Sequence, residues 1–150
     1  KAAMSSNAAD EQDISGWAKL NPMLDGATCH HGCAKIDEHR LIIVGGHGDG
    51  MKTLSCGAIY EARTQQWTRL PNDMPTAMYA CRVVADEKYV FVVGGADDSG
   101  MPVNTLYRLS LESYEWTTMA PMVDALDGFA AVLKGGCIYI FGDSRRGVKR

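Results

Sequence analysis

At 150 residues the chain has the length of one ordinary domain, and its 46% hydrophobic and 22% charged content is that of a soluble globular protein. A formal charge of −3 makes nucleic acid and acidic membrane surfaces poor main partners, and no apolar run approaches the ~20 residues of a membrane helix. Cys29, Cys33, Cys56, Cys81 and Cys137 are odd in number and unevenly spaced, which suits reduced thiols in an intracellular, cytoplasmic setting better than a disulfide framework.

Residues 1–16 are alanine, serine and acid with one isolated isoleucine. They show no hydrophobic signal core, have little apolar surface to bury, and read as a flexible N-terminal arm. Order is expected from Trp17, and residues 17–20 (WAKL) read as a short outer strand.

From there the chain repeats itself. LIIVGG at 41–46 and YVFVVGG at 89–95 are apolar runs that stop on a double glycine. CIYIFGD at 137–143 does so with an aspartate in place of the second glycine. Gly45 and Gly94 are 49 residues apart and Gly94 and Gly142 are 48, while Trp17, Trp67 and Trp116 are spaced by 50 and 49. A fixed period of this size marks an array or propeller of one supersecondary unit.

Each repeat resolves into four short strands. Strand a falls at 32–36, 80–85 and 128–133, and a tight polar turn leads to strand b, the apolar run. Strand b is apolar at almost every position, so burial on both faces is expected, and its glycines permit positive φ and close backbone approach. Strand c falls at 54–60 and 103–109, and strand d is WTRL at Trp67 and WTTM at Trp116, half polar as an edge strand should be. Helical periodicity is absent, so the fold class is all-β.

Strand, Gly-Gly, long loop, a tyrosine seven before a tryptophan (Tyr60 and Trp67), then a Pro-Met segment is a pattern that resembles the kelch repeat. The Pro-Met segments are Pro22-Met23, Met74-Pro75 and Pro121-Met122. The resemblance covers residues 17–143 and implies kelch-type β-propeller blades of four antiparallel strands each. It departs from the kelch pattern where an arginine usually precedes strand a; those positions are read here as His30, Met78 and Leu126. The expected layout is a strand d at 17–20, blades at 28–70 and 78–119, a partial blade at 128–143, and a basic tail or truncated loop at 144–150. A propeller typically needs about four to eight blades, so the ring is incomplete. Either the chain is a piece of a longer propeller, or its ring is completed by self-association or within a larger assembly, with one copy's Trp17 strand helping to complete another's third blade.

Chemistry is sparse. Cys29-His30-His31-Gly32-Cys33 has the residue types of a zinc site, but ligands adjacent in sequence point to opposite faces of a strand, and Cys33 aligns with Cys81 and Phe129 as a buried strand-a position. The loops after the double glycines carry His47, Asp49, Asp97 and Asp98, too few ligands for a calcium loop and ordinary turn residues. Asp124 and Asp127 read as a polar turn between blades. No metal, cofactor or catalytic residue set is assigned, and the chain is read as not an enzyme.

What remains is a surface. In a blade the b–c loops and d–a connections emerge on one face, which collects His30, His31, His47, Asp49, Met78, Tyr79, Asp97, Asp98, Arg145 and Arg146 as candidate binding residues. The functional expectation is a non-catalytic protein-binding module, a scaffold or substrate-recognition element. The alternative is a fragment of a kelch-type enzyme, of the metal-dependent oxidase or epimerase class, whose catalytic residues lie outside this chain.

Overall fold

The computed structural model describes residues 21–23 and 28–142. The predicted arm at 1–16, the strand at 17–20 and the tail with Arg145 and Arg146 lie outside the described residues. The elements are β1 (Gly32–Lys35), β2 (Arg40–Val44), β3 (Gly57–Glu61), β4 (Gln66–Arg69), β5 (Arg82–Ala85), β6 (Tyr89–Val93), β7 (Leu106–Ser110), β8 (Trp116–Thr118), β9 (Ala130–Lys134) and β10 (Cys137–Phe141). They form two four-stranded antiparallel sheets, β1-β2-β3-β4 and β5-β6-β7-β8, and a β9-β10 hairpin. The described residues contain no α-helix; a single 3-10 turn spans Asp49–Met51. Among the described residues the fold is all-β, as its periodicity predicts, and no ring closes.

The innermost strands stand side by side, with β5 lying against both β1 and β9. Apolar side chains fill the joint between the first two sheets, where Ile42, Val90, Val92 and Leu109 have no accessible surface. A second, smaller core of Val93, Leu126 and Phe129 joins the second sheet to the hairpin, and Arg82 reaches across to donate to the carbonyl of Phe129.

β6 is the central strand that its sequence predicts, paired with β5 on one side and β7 on the other. Its burial is less complete than expected: Val90, Val92 and Val93 are buried, whereas Tyr89 and Phe91 are half-buried. Those two face the hairpin, which offers two strands of cover instead of four.

Strand a of the first sheet departs from the 49-residue period by one. Lys35 pairs with Leu41, but Ala85 pairs with Val90, so the first hairpin holds one residue more. The extra residue is Ile36, which is buried, and its amide shares the Arg40 carbonyl with that of Asp37. The turns themselves match: Asp37 Oδ1 accepts from His39 N and Arg40 N, and Asp86 Oδ1 from Lys88 N and Tyr89 N. His30, Ala80 and Gly128, with φ of 54°, 52° and 63°, are therefore equivalent. His31, not Cys33, matches Cys81 and Phe129, and Thr28, not His30, stands where the kelch arginine is expected. Cys33 is exposed, on the side of β1 away from the second sheet.

Trp67 and Trp116 are equivalent, but their partner is the segment entering their own sheet and not the following sheet. Trp67 Nε1 donates to Asn21 O at 3.0 Å and Trp116 Nε1 to Asn72 O at 3.1 Å. The same asparagines donate their side-chain amides to Gln65 O and Tyr114 O, carbonyls of residues with positive φ in the turns between the third and fourth strands.

The double glycines make the joints. Gly46 N donates to Met78 O at 2.9 Å and Gly95 N to Leu126 O at 2.8 Å, tying each sheet to the connection that enters the next. Gly95 has φ +108°, and a Cβ there would sit 2.6 Å from Tyr79 O and 2.8 Å from Cys81 N, which are backbone atoms. Gly95→Ala is expected to cost about 3 kcal/mol. Gly100→Ala, at φ +80° where an added Cβ would meet only the Tyr79 hydroxyl at 3.5 Å, should cost only about 1 kcal/mol. Thermal melts of both variants check this; equal losses would mean that the close approach is absent.

Candidate functional site

Two loops of equal length follow the double glycines. In the first, Gly48 N donates to Lys52 O and Met51 N to Gly48 O; in the second, Asp97 N donates to Met101 O and Gly100 N to Asp97 O. Isolated bridges frame both loops, Cys29 with His47 and His47 with Thr53, then Tyr79 with Ala96 and Ala96 with Pro102. The connections between sheets are thereby stitched to the loops, and both emerge at one end of the sheets.

This brings three of the predicted residues together. The rings of His47 and Tyr79 are 4.1 Å apart between centroids, and His30 lies 5.8 Å from His47 and 6.5 Å from Tyr79. His30 is exposed, Tyr79 half-buried and His47 buried, with 9% of its surface accessible. His47 Nδ1 is buried without a hydrogen-bond partner. His30 Nδ1 lies 3.2 Å from Cys29 Sγ, and the His30 carbonyl accepts from Ala80 N. His31 stands apart from the ring cluster, its Nδ1 3.2 Å from Thr28 Oγ1, and burial holds its pKa below the usual histidine value.

The acidic residues divide. Asp97 Oδ1 accepts from Ser99 N, Ser99 Oγ and Met101 N, so this side chain builds the second loop. Those bonds, the Ser99 hydroxyl foremost, hold its pKa below the usual carboxylate value and keep it charged. Asp49 and Asp98 are exposed at the loop tips. Met78 does not belong to the surface: it is 1% accessible, its side chain is part of the joint, and its backbone is bonded to Gly46 and Leu54. The backbone contact with Gly46 goes with a Met78 side chain turned inward, and Tyr79 next to it is half-buried. Among the described residues no group of three His, Cys, Asp or Glu side chains is placed to hold a metal.

Sequence reasoning passed over Met51 and Met101, each 62% exposed. Met51 adopts φ +61° at the place where the second loop has Gly100. The 49-residue offset between them was the available signal.

Residues 77–123 match the Kelch motif family. The chain belongs to the kelch-repeat family. Kelch-like protein 38 of Danio rerio is 32% identical over 90 residues, 56% of this chain and 15% of that protein. Alpha-scruin of Limulus polyphemus is 33% identical over 84 residues, 56% of this chain and 9% of that protein. Kelch domain-containing protein 3 of Bos taurus is 31% identical over 121 residues, 69% of this chain and 32% of that protein. The chain thus spans at most about a third of these kelch relatives. The two four-stranded sheets are kelch blades. No helix among the described residues is long and apolar enough to cross a membrane.

Proposed function

We propose that this chain is a segment of a kelch propeller that serves as a non-catalytic protein-interaction module, with the loop end of its blades as the recognition surface. The observation that carries the reading is the stitching of loops and connections, which holds His30, Tyr79 and the loop tips on a rigid β scaffold. Loops so placed are the usual site of recognition. The names of the kelch relatives are compatible with a scaffold or adaptor role and with no particular partner.

The two outer faces belong to the same reading. Leu41 of the first blade is 43% exposed, where its equivalent Val90 is fully buried. At the other end Val132 and Phe141 are 49% and 42% exposed, where Val84 and Val93 are 7% and 1%. Positions sealed in the second blade stand open on the outer faces, and blades of the same type cover them, in one chain or from another. Sedimentation of the 150-residue chain should therefore show self-association; a monodisperse, thermally stable monomer at micromolar concentration contradicts it.

For the recognition surface, paired variants separate the two ends of the blades. His30→Ala with Asp98→Ala should abolish capture of the proteins that the parent chain captures. Glu87→Ala with Glu112→Ala, in the turns at the opposite end, should leave it intact. The reverse pattern would place recognition at the other end.

A further inference from the structure

The loop end of the blades is lopsided in charge. Its b–c loops and connections carry Asp49, Asp73, Asp97, Asp98, Asp124 and Asp127, all exposed except the half-buried Asp97. The cations of this end among the described residues are Lys52, Arg69 and Arg82; Arg69 is bonded to Asp73 at 3.2 Å, and Arg82 donates to the Phe129 carbonyl. At the opposite end acids such as Asp37, Glu38, Glu87 and Glu112 stand beside Lys35, Arg40, Arg63, Lys88 and Lys134, and Asp37 is bonded to Arg40. Among the described residues, negative charge is therefore less balanced by cations at the loop end.

Large apolar side chains stand among these acids. Met51 and Met101 occupy neighbouring loops and are each 62% exposed. Met51 also holds a left-handed backbone where its repeat equivalent is glycine, a conformation costing a non-glycine residue about 1 kcal/mol. Neither the fold nor the loop's hydrogen bonds need a methionine there, since Gly100 makes the same turn. Exposed, adaptable methionines are a feature of surfaces that bind protein segments. A further sign comes from His47, whose Nδ1 is buried without a partner beneath a loop end flanked by Tyr79 and His30. Such an unsatisfied atom calls for explanation, and a functional surface is a common one.

We propose that this face takes a basic protein segment bearing a large apolar side chain. Lysine or arginine of the segment lies against the aspartates, and the apolar group packs on Met51 and Met101. The inference rests on the loop end being the recognition surface and adds the chemistry of the partner. Charge complementarity speeds and orients the encounter, and the apolar contact supplies the anchor.

The test uses two labelled peptides of equal length, one alternating lysine with leucine and the other glutamate with leucine, titrated against the full chain by fluorescence anisotropy. The lysine peptide should bind more tightly, and its affinity should fall as salt is raised. Asp49→Lys with Asp98→Lys should weaken it at least ~10-fold. Met51→Gly should weaken it too while thermal stability does not fall, because glycine relieves the backbone. A merely structural methionine would not separate the two readouts. Glu87→Lys at the opposite end should change nothing. Equal or tighter binding of the glutamate peptide at the loop end overturns the charge inference and leaves the recognition surface standing. Loss of binding on Glu87→Lys overturns the recognition surface itself. Failure of the lysine peptide to bind at low salt overturns the proposal.

Discussion

The structure depends on one backbone contact made twice: the amide of the second glycine of each pair against a carbonyl of the connection leading to the next blade. Gly46 meets Met78 and Gly95 meets Leu126. Both glycines have positive φ, and a Cβ at either would fall within 2.9 Å of three backbone atoms. Without side chains the two segments approach, and the residue that supplies the carbonyl also turns its own side chain into the joint. Met78 and Leu126 are buried for this reason. The glycine contact and the apolar seal are thus one event, in which a hydrogen bond fixes the register of the packing.

The geometry of the proposed recognition surface follows from the same contact. The residue after each pair, His47 or Ala96, forms bridges on both sides, which stiffens the loop base and fixes the direction in which the loop leaves. The outer rim is secured separately, by tryptophan Nε1–H groups donating to Asn21 and Asn72. Between inner joint and outer rim the blade is held, and variation is left to residues 48–52 and 97–101. These two loops share a hydrogen-bond frame and differ in what they display: Met51 and Lys52 on one, Gly100 and Met101 on the other.

Much of this architecture is legible in the sequence because it is repeated. Apolar runs ending in double glycine, tryptophans in step and polar turns between them give strand order and pairing without any long-range information. The legible part ends where one residue breaks the period. Ile36 is an additional buried residue in an otherwise matching hairpin, so starting strand a at Gly32, Ala80 and Gly128 assigns Cys33 to a position that belongs to His31. Facing is hidden as well. Met78 and Tyr79 sit side by side in a connection without regular alternation around them, and only the glycine contact decides which one goes inward. Of the candidate surface, His30, His47 and Tyr79 come together because the bridges bring separate loops into register, which no local pattern contains. Met51 was visible as the counterpart of Gly100, but its backbone conformation and exposure required coordinates.

Amide hydrogen exchange at Gly46 and Gly95 tests the central contact most directly. Both amides lie beyond the ends of their strands, in segments that would exchange rapidly if the joints were formed by side-chain packing alone. With the inter-blade hydrogen bonds in place they should be protected to the level of the β6 amides, exchanging only with opening of the joint. Exchange at the rate of the exposed loop amide of Asp98 would contradict the account.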